Sequence, residues 1–231
     1  MHPLNTALHY RNGILHVEDL PIAELARQFD TPLYVYSAAV LRAQYDRLET
    51  AMEGVASRVT ICYALKANAN PVIGRLLASW GAGADVVSGG EIYLARRMGF
   101  PANKVVFAGV GKTRREMTEA LQEGVYAFHV ESMGELTALE SVADGMGTVA
   151  HVAVRVNPDV DAHTHPYITT GTHANKFGVA PLQALDMIRL TARSPHLHPI
   201  GLHVHIGSQL STVHPIAEAV QRVLSLWDTL A

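Results

Sequence analysis

Ile61-Cys62-Tyr63-Ala64-Leu65-Lys66-Ala67-Asn68 carries an apolar run to a single ammonium group and then stops at polar, turn-forming residues. Lysine is seldom buried without a partner, and burial penalises the charged form of an amine. A neutral amine at the carboxyl end of a buried strand is a nucleophile suited to condensing with an aldehyde. The competing reading is that Lys66 snorkels from the strand end into water. The surrounding sequence decides between the two.

Outward from this stretch one alternation repeats. β-rich runs fall at 59–65, 84–87, 104–107, 127–130, 149–156 and 201–206, and helical periodicity fills 71–80, 89–98, 114–123, 132–142, 181–192 and 215–230. Strand alternating with helix predicts parallel β with right-handed crossovers. No Gly-x-Gly-x-x-Gly follows the first of these strands, which favours a barrel over a dinucleotide fold. A closed (β/α)8 TIM barrel takes about 250 residues. The expected class is therefore α/β, an incomplete TIM barrel holding roughly six of the eight units.

Residues 1–36 do not read as a barrel unit. Arg11-Asn12-Gly13-Ile14-Leu15-His16-Val17 reads as a turn feeding a short strand. A helix over 21–29 has Pro21 in its first turn, and Thr31-Pro32-Leu33-Tyr34-Val35-Tyr36 reads as extended. Ser37 then caps a helix to about Glu53, with Val40, Leu41, Tyr45 and Leu48 on one stripe. The expected organisation is an N-terminal segment, 1–36, and a partial barrel, 37–231, forming the front part of a longer protein. Such a barrel is not expected to close by itself, and its open edge would favour aggregation.

Composition narrows the function classes. The 231 residues are 48% hydrophobic and 17% charged, enough for one sizeable core. A net charge of -3 gives no reason for a nucleic-acid partner. The single cysteine, Cys62, excludes an intrachain disulfide framework and fits a reducing compartment. No signal-peptide core and no run of about 18 apolar residues is present, so a cytoplasmic protein without a membrane partner is expected.

Chemistry in barrels sits at the carboxyl ends of the strands. Those ends are Lys66, Asp85 with Ser88, Gly109, Glu131, Arg155 with Asn157, and His203 to Ser208. An amine, a guanidinium, imidazoles and carboxylates thus converge on one mouth. Gly109-Val110-Gly111-Lys112-Thr113 suggests a phosphate loop, but the full motif needs glycine where Val106 stands, and Thr113 as a helix N-cap explains the residues. His203 and His205 fall on one face of a strand. With His163, His165 and Asp85 they could bind metal; alternatively one faces a planar ligand and the other packs deeper. Gly207 and Ser208 offer backbone N–H groups and a hydroxyl to a phosphate. His151, His196, His198 and His214 read as surface or loop residues.

Six stretches then resemble one family in order and spacing: Tyr63-Ala64-Leu65-Lys66-Ala67-Asn68, Gly83-Ala84-Asp85-Val86-Val87-Ser88-Gly89-Gly90-Glu91, Phe107-Ala108-Gly109-Val110-Gly111-Lys112, Arg155-Val156-Asn157-Pro158, Asn175-Lys176-Phe177-Gly178 and the run from Gly201 to Gln209. They are similar to the barrel-type (fold-type III) pyridoxal-phosphate decarboxylases, the group that includes alanine racemase and ornithine decarboxylase. The run from Asp161 to Gly171 looks, within that group, like the diaminopimelate decarboxylases. The resemblance extends from about Leu15 to the end of the chain.

The resemblance implies that Lys66 holds pyridoxal 5'-phosphate covalently and that His205 stacks on its ring. It implies that Gly207 and Ser208 contact the phosphate and that Asp85 and Arg155 line the site, with Ser88 and Glu91 close by. It makes 1–36 a partner of a C-terminal β-domain and puts His163 and His165 in a loop at the mouth, with no metal. The implied reaction, the last step of lysine biosynthesis, is decarboxylation of meso-2,6-diaminopimelate to L-lysine and carbon dioxide in a homodimer. The family's glycine-rich phosphate loop, the acidic partner of the pyridine nitrogen and the substrate-binding arginine and tyrosine come later than Ala231, so this chain alone is expected to be inactive. Open alternatives are an ornithine or arginine decarboxylase, a racemase, a non-catalytic pyridoxal-phosphate barrel and, last, a metal-dependent hydrolase on His203 and His205.

Overall fold

A computed structural model describes residues 7–55, 59–160, 177–208 and 210–229. The sequence features at 161–171, including His163 and His165, and those at Asn175, Lys176 and Gln209 lie outside the described residues. The chain divides into two compact units, 1–61 and 62–231.

In the first unit, β1 (Leu8–Arg11) and β2 (Ile14–Val17) form an antiparallel hairpin, and β3 (Leu20–Pro21) pairs with β2. Asn12 and Gly13 turn the hairpin with φ of 51° and 77°. That positive-φ pair suits the twist of the flanking strands, and asparagine followed by glycine tolerates it best. Helix α1 (Ile22–Phe29) starts at Pro21. Residues 31–36 join no sheet. Helix α2 (Ala38–Met52) starts as expected at Ser37, whose hydroxyl accepts the Val40 N–H at 3.0 Å. Of its expected stripe only Tyr45 is buried, whereas Leu48 is exposed.

The second unit is a six-stranded parallel sheet in sequential order: β4 (Cys62–Ala64), β5 (Gly83–Val86), β6 (Val105–Phe107), β7 (Ala127–Val130), β8 (Ala150–Arg155) and β9 (Leu197–His203). The helices are α3 (Pro71–Ser79), α4 (Gly89–Met98), α5 (Arg114–Glu123), α6 (Met133–Gly145), α7 (Pro181–Arg193) and α8 (His214–Asp228). The central strands β5, β6 and β7 are mostly buried and read as short apolar runs, whereas β4 and β9 at the sheet edges are only half-buried. Phe107, Phe128, Val86, Val130, Val152 and Val154 are almost wholly buried. The six β/α repeats of an incomplete barrel are thus observed.

Two strands have boundaries well apart from the sequence expectation. The first strand is shorter, because the chain turns into a 3₁₀ helix at Leu65–Ala67 and takes Lys66 off the ladder. The last strand runs over 197–203, not 201–206. It holds Pro199 beside a register irregularity opposite Val152 and Ala153, the kind of site where a strand accepts a residue lacking an N–H. His205 therefore lies past the strand, and the reading of His203 and His205 as same-face residues of one strand is corrected. His151 and His198 stand in β8 and β9, exposed and paired in register, rather than in loops.

Candidate functional site

The side chains at the carboxyl end of the sheet are aimed by helix caps. Ser88 caps α4 and Ser132 caps α6, each accepting the N–H three residues on. In both, the glutamate at that third position reaches back beyond the cap. Glu91 accepts the Val87 N–H at 2.8 Å, and Glu135 accepts the Glu131 N–H at 3.0 Å. These carboxylates satisfy donors that a strand end would otherwise leave open.

The loop after β6 is tied down harder. Thr113 and Glu116 make the reciprocal cap of α5, confirming Thr113 as N-cap. Lys112 is sealed in the protein, its Nζ donating to the carbonyls of Gly109 (2.7 Å) and His129 (2.6 Å) and to Glu135 Oε1 (2.6 Å). With all three donors used, Lys112 is a strut between the β6 and β7 ends. Gly109 has φ of 93°, and a Cβ there would stand 3.1 Å from the Val87 carbonyl, so only glycine fits.

Within this frame a cavity of about 330 Å³ is lined by Lys66, Asp85, Arg155, His203 and His205, with Phe177 and small residues of the β6 loop completing it. Four of the six site candidates, Lys66, Asp85, Arg155 and His205, therefore share one wall. Gly207 and Ser208 follow His205 in the chain but do not line this cavity. A second cavity, of about 730 Å³ against α7 and α8, has no lysine or histidine among the described residues of its lining. Its Arg222 is spent on the carbonyls of Pro158 and Asp159 and on Glu218.

Lys66 is exposed, not buried, and it makes no side-chain hydrogen bond among the described residues. Of the two readings of Lys66, burial at the strand end and reach into water, the structure shows the exposed one: the 3₁₀ turn carries Lys66 to the cavity wall, beyond the buried part of the strand. Arg155 is the buried cation. Its Nη1 donates to Glu131 Oε1 at 2.7 Å, and its guanidinium lies 5.3 Å from the centre of the Phe177 ring. Burial raises the Asp85 carboxyl above its ordinary range, against the pull of Lys66. Burial, then the charges of Lys66 and Arg155, depress His205 to about 4, which leaves its imidazole neutral near pH 7.

Four atoms in this region are sealed and find no hydrogen-bond partner among the described residues: Asp85 Oδ1, Glu131 Oε2, His129 Nδ1 and His203 Nδ1. Leaving a buried polar atom unmade costs roughly 1–3 kcal/mol, and such sites concentrate where a structure serves chemistry rather than stability. His129 was not among the sequence candidates. The available signal was β alternation, since a histidine between Phe128 and Val130 must point to the opposite face of β7. Among the described residues no group of three or more His, Cys, Asp or Glu is arranged to hold a metal ion. No described helix is long and apolar enough to cross a membrane.

Comparison with known proteins gives the family. Residues 38–231 match the pyridoxal-dependent decarboxylase family, pyridoxal binding domain. Diaminopimelate decarboxylase of Aquifex aeolicus is 45% identical over 226 residues, covering 98% of this chain and 53% of that one. The Pseudomonas fluorescens diaminopimelate decarboxylase is 47% identical over 225 residues, covering 97% and 54%. The crystal structure of Helicobacter pylori diaminopimelate decarboxylase complexed with L-lysine superposes with a TM-score of 0.87 at 41% identity, covering 90% of this chain and 52% of that one. The chain spans about half the length of the curated relatives it matches. With six β/α repeats, a lysine at the first strand end and this match over its whole barrel portion, the chain belongs to the pyridoxal-dependent decarboxylases and carries their pyridoxal-binding domain.

Proposed function

We propose that the chain supplies the lysine-bearing half of a diaminopimelate decarboxylase, which releases carbon dioxide from meso-2,6-diaminopimelate and leaves L-lysine. The observation that carries this reading is the convergence of Lys66, Asp85, Arg155 and His205, from four strand ends, on one cavity. The specific substrate rests on the relatives at 45% and 47% identity that bear that name.

The residues fit pyridoxal phosphate as a donor set. A cavity of about 330 Å³ is within the size of small-molecule sites. It offers one amine, one guanidinium, a carboxyl with an unmet oxygen and two imidazoles, of which His205 is neutral near pH 7. Pyridoxal phosphate, when bound, supplies an aldehyde carbon and a conjugated ring that takes up the electrons of a breaking bond.

Lys66 would hold the group through its Nζ, the chain's nucleophile toward such an aldehyde carbon, and its ammonium, once displaced, would be placed to give a proton at the position a departing carboxylate leaves. Arg155, oriented by Glu131, keeps further guanidinium donors for an anionic oxygen. Asp85 places a carboxyl, raised above its ordinary range by burial, beside Lys66, and the neutral His205 presents a flat face rather than a second positive charge. Gly207 and Ser208 are assigned to the phosphate on the resemblance alone. The same reading has residues 1–36 pair with a C-terminal β-domain and the enzyme act as a homodimer in the cytoplasm.

The test begins with the chain and pyridoxal phosphate. An absorbance band that borohydride fixes, with the added mass on the Lys66 peptide and no band in Lys66→Ala, is expected; a fixed adduct surviving in Lys66→Ala overturns the assignment. Carboxyl-labelled diaminopimelate, ornithine and arginine offered to the full-length enzyme then decide the substrate, with label released from diaminopimelate alone.

A further inference from the structure

Two imidazoles deep in the sheet have no part in the chemistry above. The rings of His129 on β7 and His203 on β9 stack with centres 4.2 Å apart and planes 28° from parallel. β8 lies between their strands, and the register explains how the rings meet across it. His129 is opposite Ala153, and Ala153 is opposite Gly201. At that level β8 contributes only the methyl group of Ala153, and the His203 ring reaches across from two residues past Gly201.

Burial depresses His129 to about 4 and His203 well below its usual range, helped by Lys112 and Arg155 around them. Burial thus favours the neutral form of both rings, which carries one proton. On both rings Nδ1 is sealed and meets no partner among the described residues. An orphaned buried N–H is rarer than an under-satisfied acceptor, so the bare nitrogen is the sealed one. That leaves Nε2 of His203, a residue of the cavity lining, as the protonated nitrogen.

We propose that His203 is a ligand-contacting residue of the cavity: an imidazole propped by His129, carrying its proton on Nε2, and donating a hydrogen bond to an anionic oxygen of the bound ligand. The ligand's identity rests on the pyridoxal-phosphate reading above; the tautomer does not. His129, which acts only through His203, is a positioning residue.

The experiment uses the full chain labelled with ¹⁵N in its histidines, with ring nitrogens read by two-bond proton–nitrogen correlation at pH 7 before and after adding pyridoxal phosphate. Both histidines are expected to show the Nε2–H pattern without ligand, and the His203 Nε2 signal is expected to move on addition. His203→Phe keeps a stacking ring without the donor, and its affinity for pyridoxal phosphate is expected to fall about tenfold. His129→Ala is expected to broaden the His203 signals and weaken affinity about threefold, and His129→Phe to recover both. An Nδ1–H pattern at His203 overturns the proposal. So does an unmoved Nε2 signal in a sample whose Lys66 adduct is fixed by borohydride, or unchanged affinity in His203→Phe. If no adduct forms at Lys66 in the unmodified chain, the function reading fails, and the ligand contact with it, while the tautomer is still decided by the ligand-free spectrum.

Discussion

The loops after β4 and β6 each deliver one lysine to the carboxyl end of the sheet, and they treat it in opposite ways. After β6, Lys112 is enclosed, with 1% of its side chain exposed, and its three donors meet three acceptors at 2.6–2.7 Å. After β4, Lys66 sits in a 3₁₀ turn without a side-chain cap, exposed at the cavity wall. Proton count and partner count explain the difference. The Lys112 ammonium spends all three of its N–H groups on fixed acceptors, whereas the Lys66 Nζ makes no side-chain hydrogen bond among the described residues and is open to a ligand in the cavity. Charge type alone therefore does not mark the reactive lysine; what surrounds it does.

The largest expected effect separates the two residues. Lys112→Met leaves Glu135 buried without its cation and two carbonyls without donors, and should cost roughly 3–5 kcal/mol of unfolding free energy. Lys66→Ala, at an exposed turn, should change stability by about 0.5 kcal/mol or less while abolishing the fixed cofactor adduct. Urea unfolding of both variants checks the first statement. The pair is sharpened by Lys112→Met combined with Glu135→Leu, which should recover much of the loss because no lone buried charge remains. If Lys112→Met unfolds at the urea concentration of the unmodified chain, the strut assignment is wrong.

Acid should act on the enclosed side as well. His129 has a folded-state value of about 4 against an ordinary 6.5. Between those values the unfolded chain binds more protons at this position, so stability falls as pH falls through the window. From pH 7 to pH 5 the loss from His129 alone is on the order of 2 kcal/mol. The half-exposed His205 shifts in the same direction. The urea midpoint measured at pH 7, 6 and 5 should fall more steeply in the unmodified chain than in His129→Phe. Equal slopes would mean that the stacked pair is reached by water.

How much of this was legible in the sequence follows from which interactions are local. The six β/α repeats and the caps at Ser37 and Thr113 rest on neighbours a few residues apart, and the helix starts fell at or within a residue of expectation at most positions. The convergence of Lys66, Asp85, Arg155 and His205 was also accessible, because parallel strands send their carboxyl ends to one side. What escaped depends on pairs far apart in the chain. Nothing near Lys112 shows that Glu135 and the His129 carbonyl will close over it. Nothing near His129 shows that His203 will stack on it across β8. The choice between a buried and an exposed Lys66 stayed open in the sequence because the short turn after β4, which exposes it, leaves no mark on the apolar run before it.

The smallest effect tests whether the β6 loop is rigid because of Lys112 or because of its cap. Thr113 accepts the Glu116 N–H at 3.2 Å, while Glu116 Oε2 accepts the Thr113 N–H at 2.9 Å and Glu116 Oε1 takes the Gly89 N–H at 2.9 Å. The Glu116 carboxyl is lowered chiefly by those two backbone N–H groups, as expected of a carboxylate held in its charged form. Thr113→Ala removes one half of the reciprocal cap and should cost about 1 kcal/mol. Because Lys112 keeps its own three acceptors, amide exchange at Gly111 and Thr113 should speed up while that at Val130 and Glu131 stays slow. If all four speed up together, the cap and the strut form one cooperative unit, and the rigidity of this loop cannot be assigned to Lys112 alone.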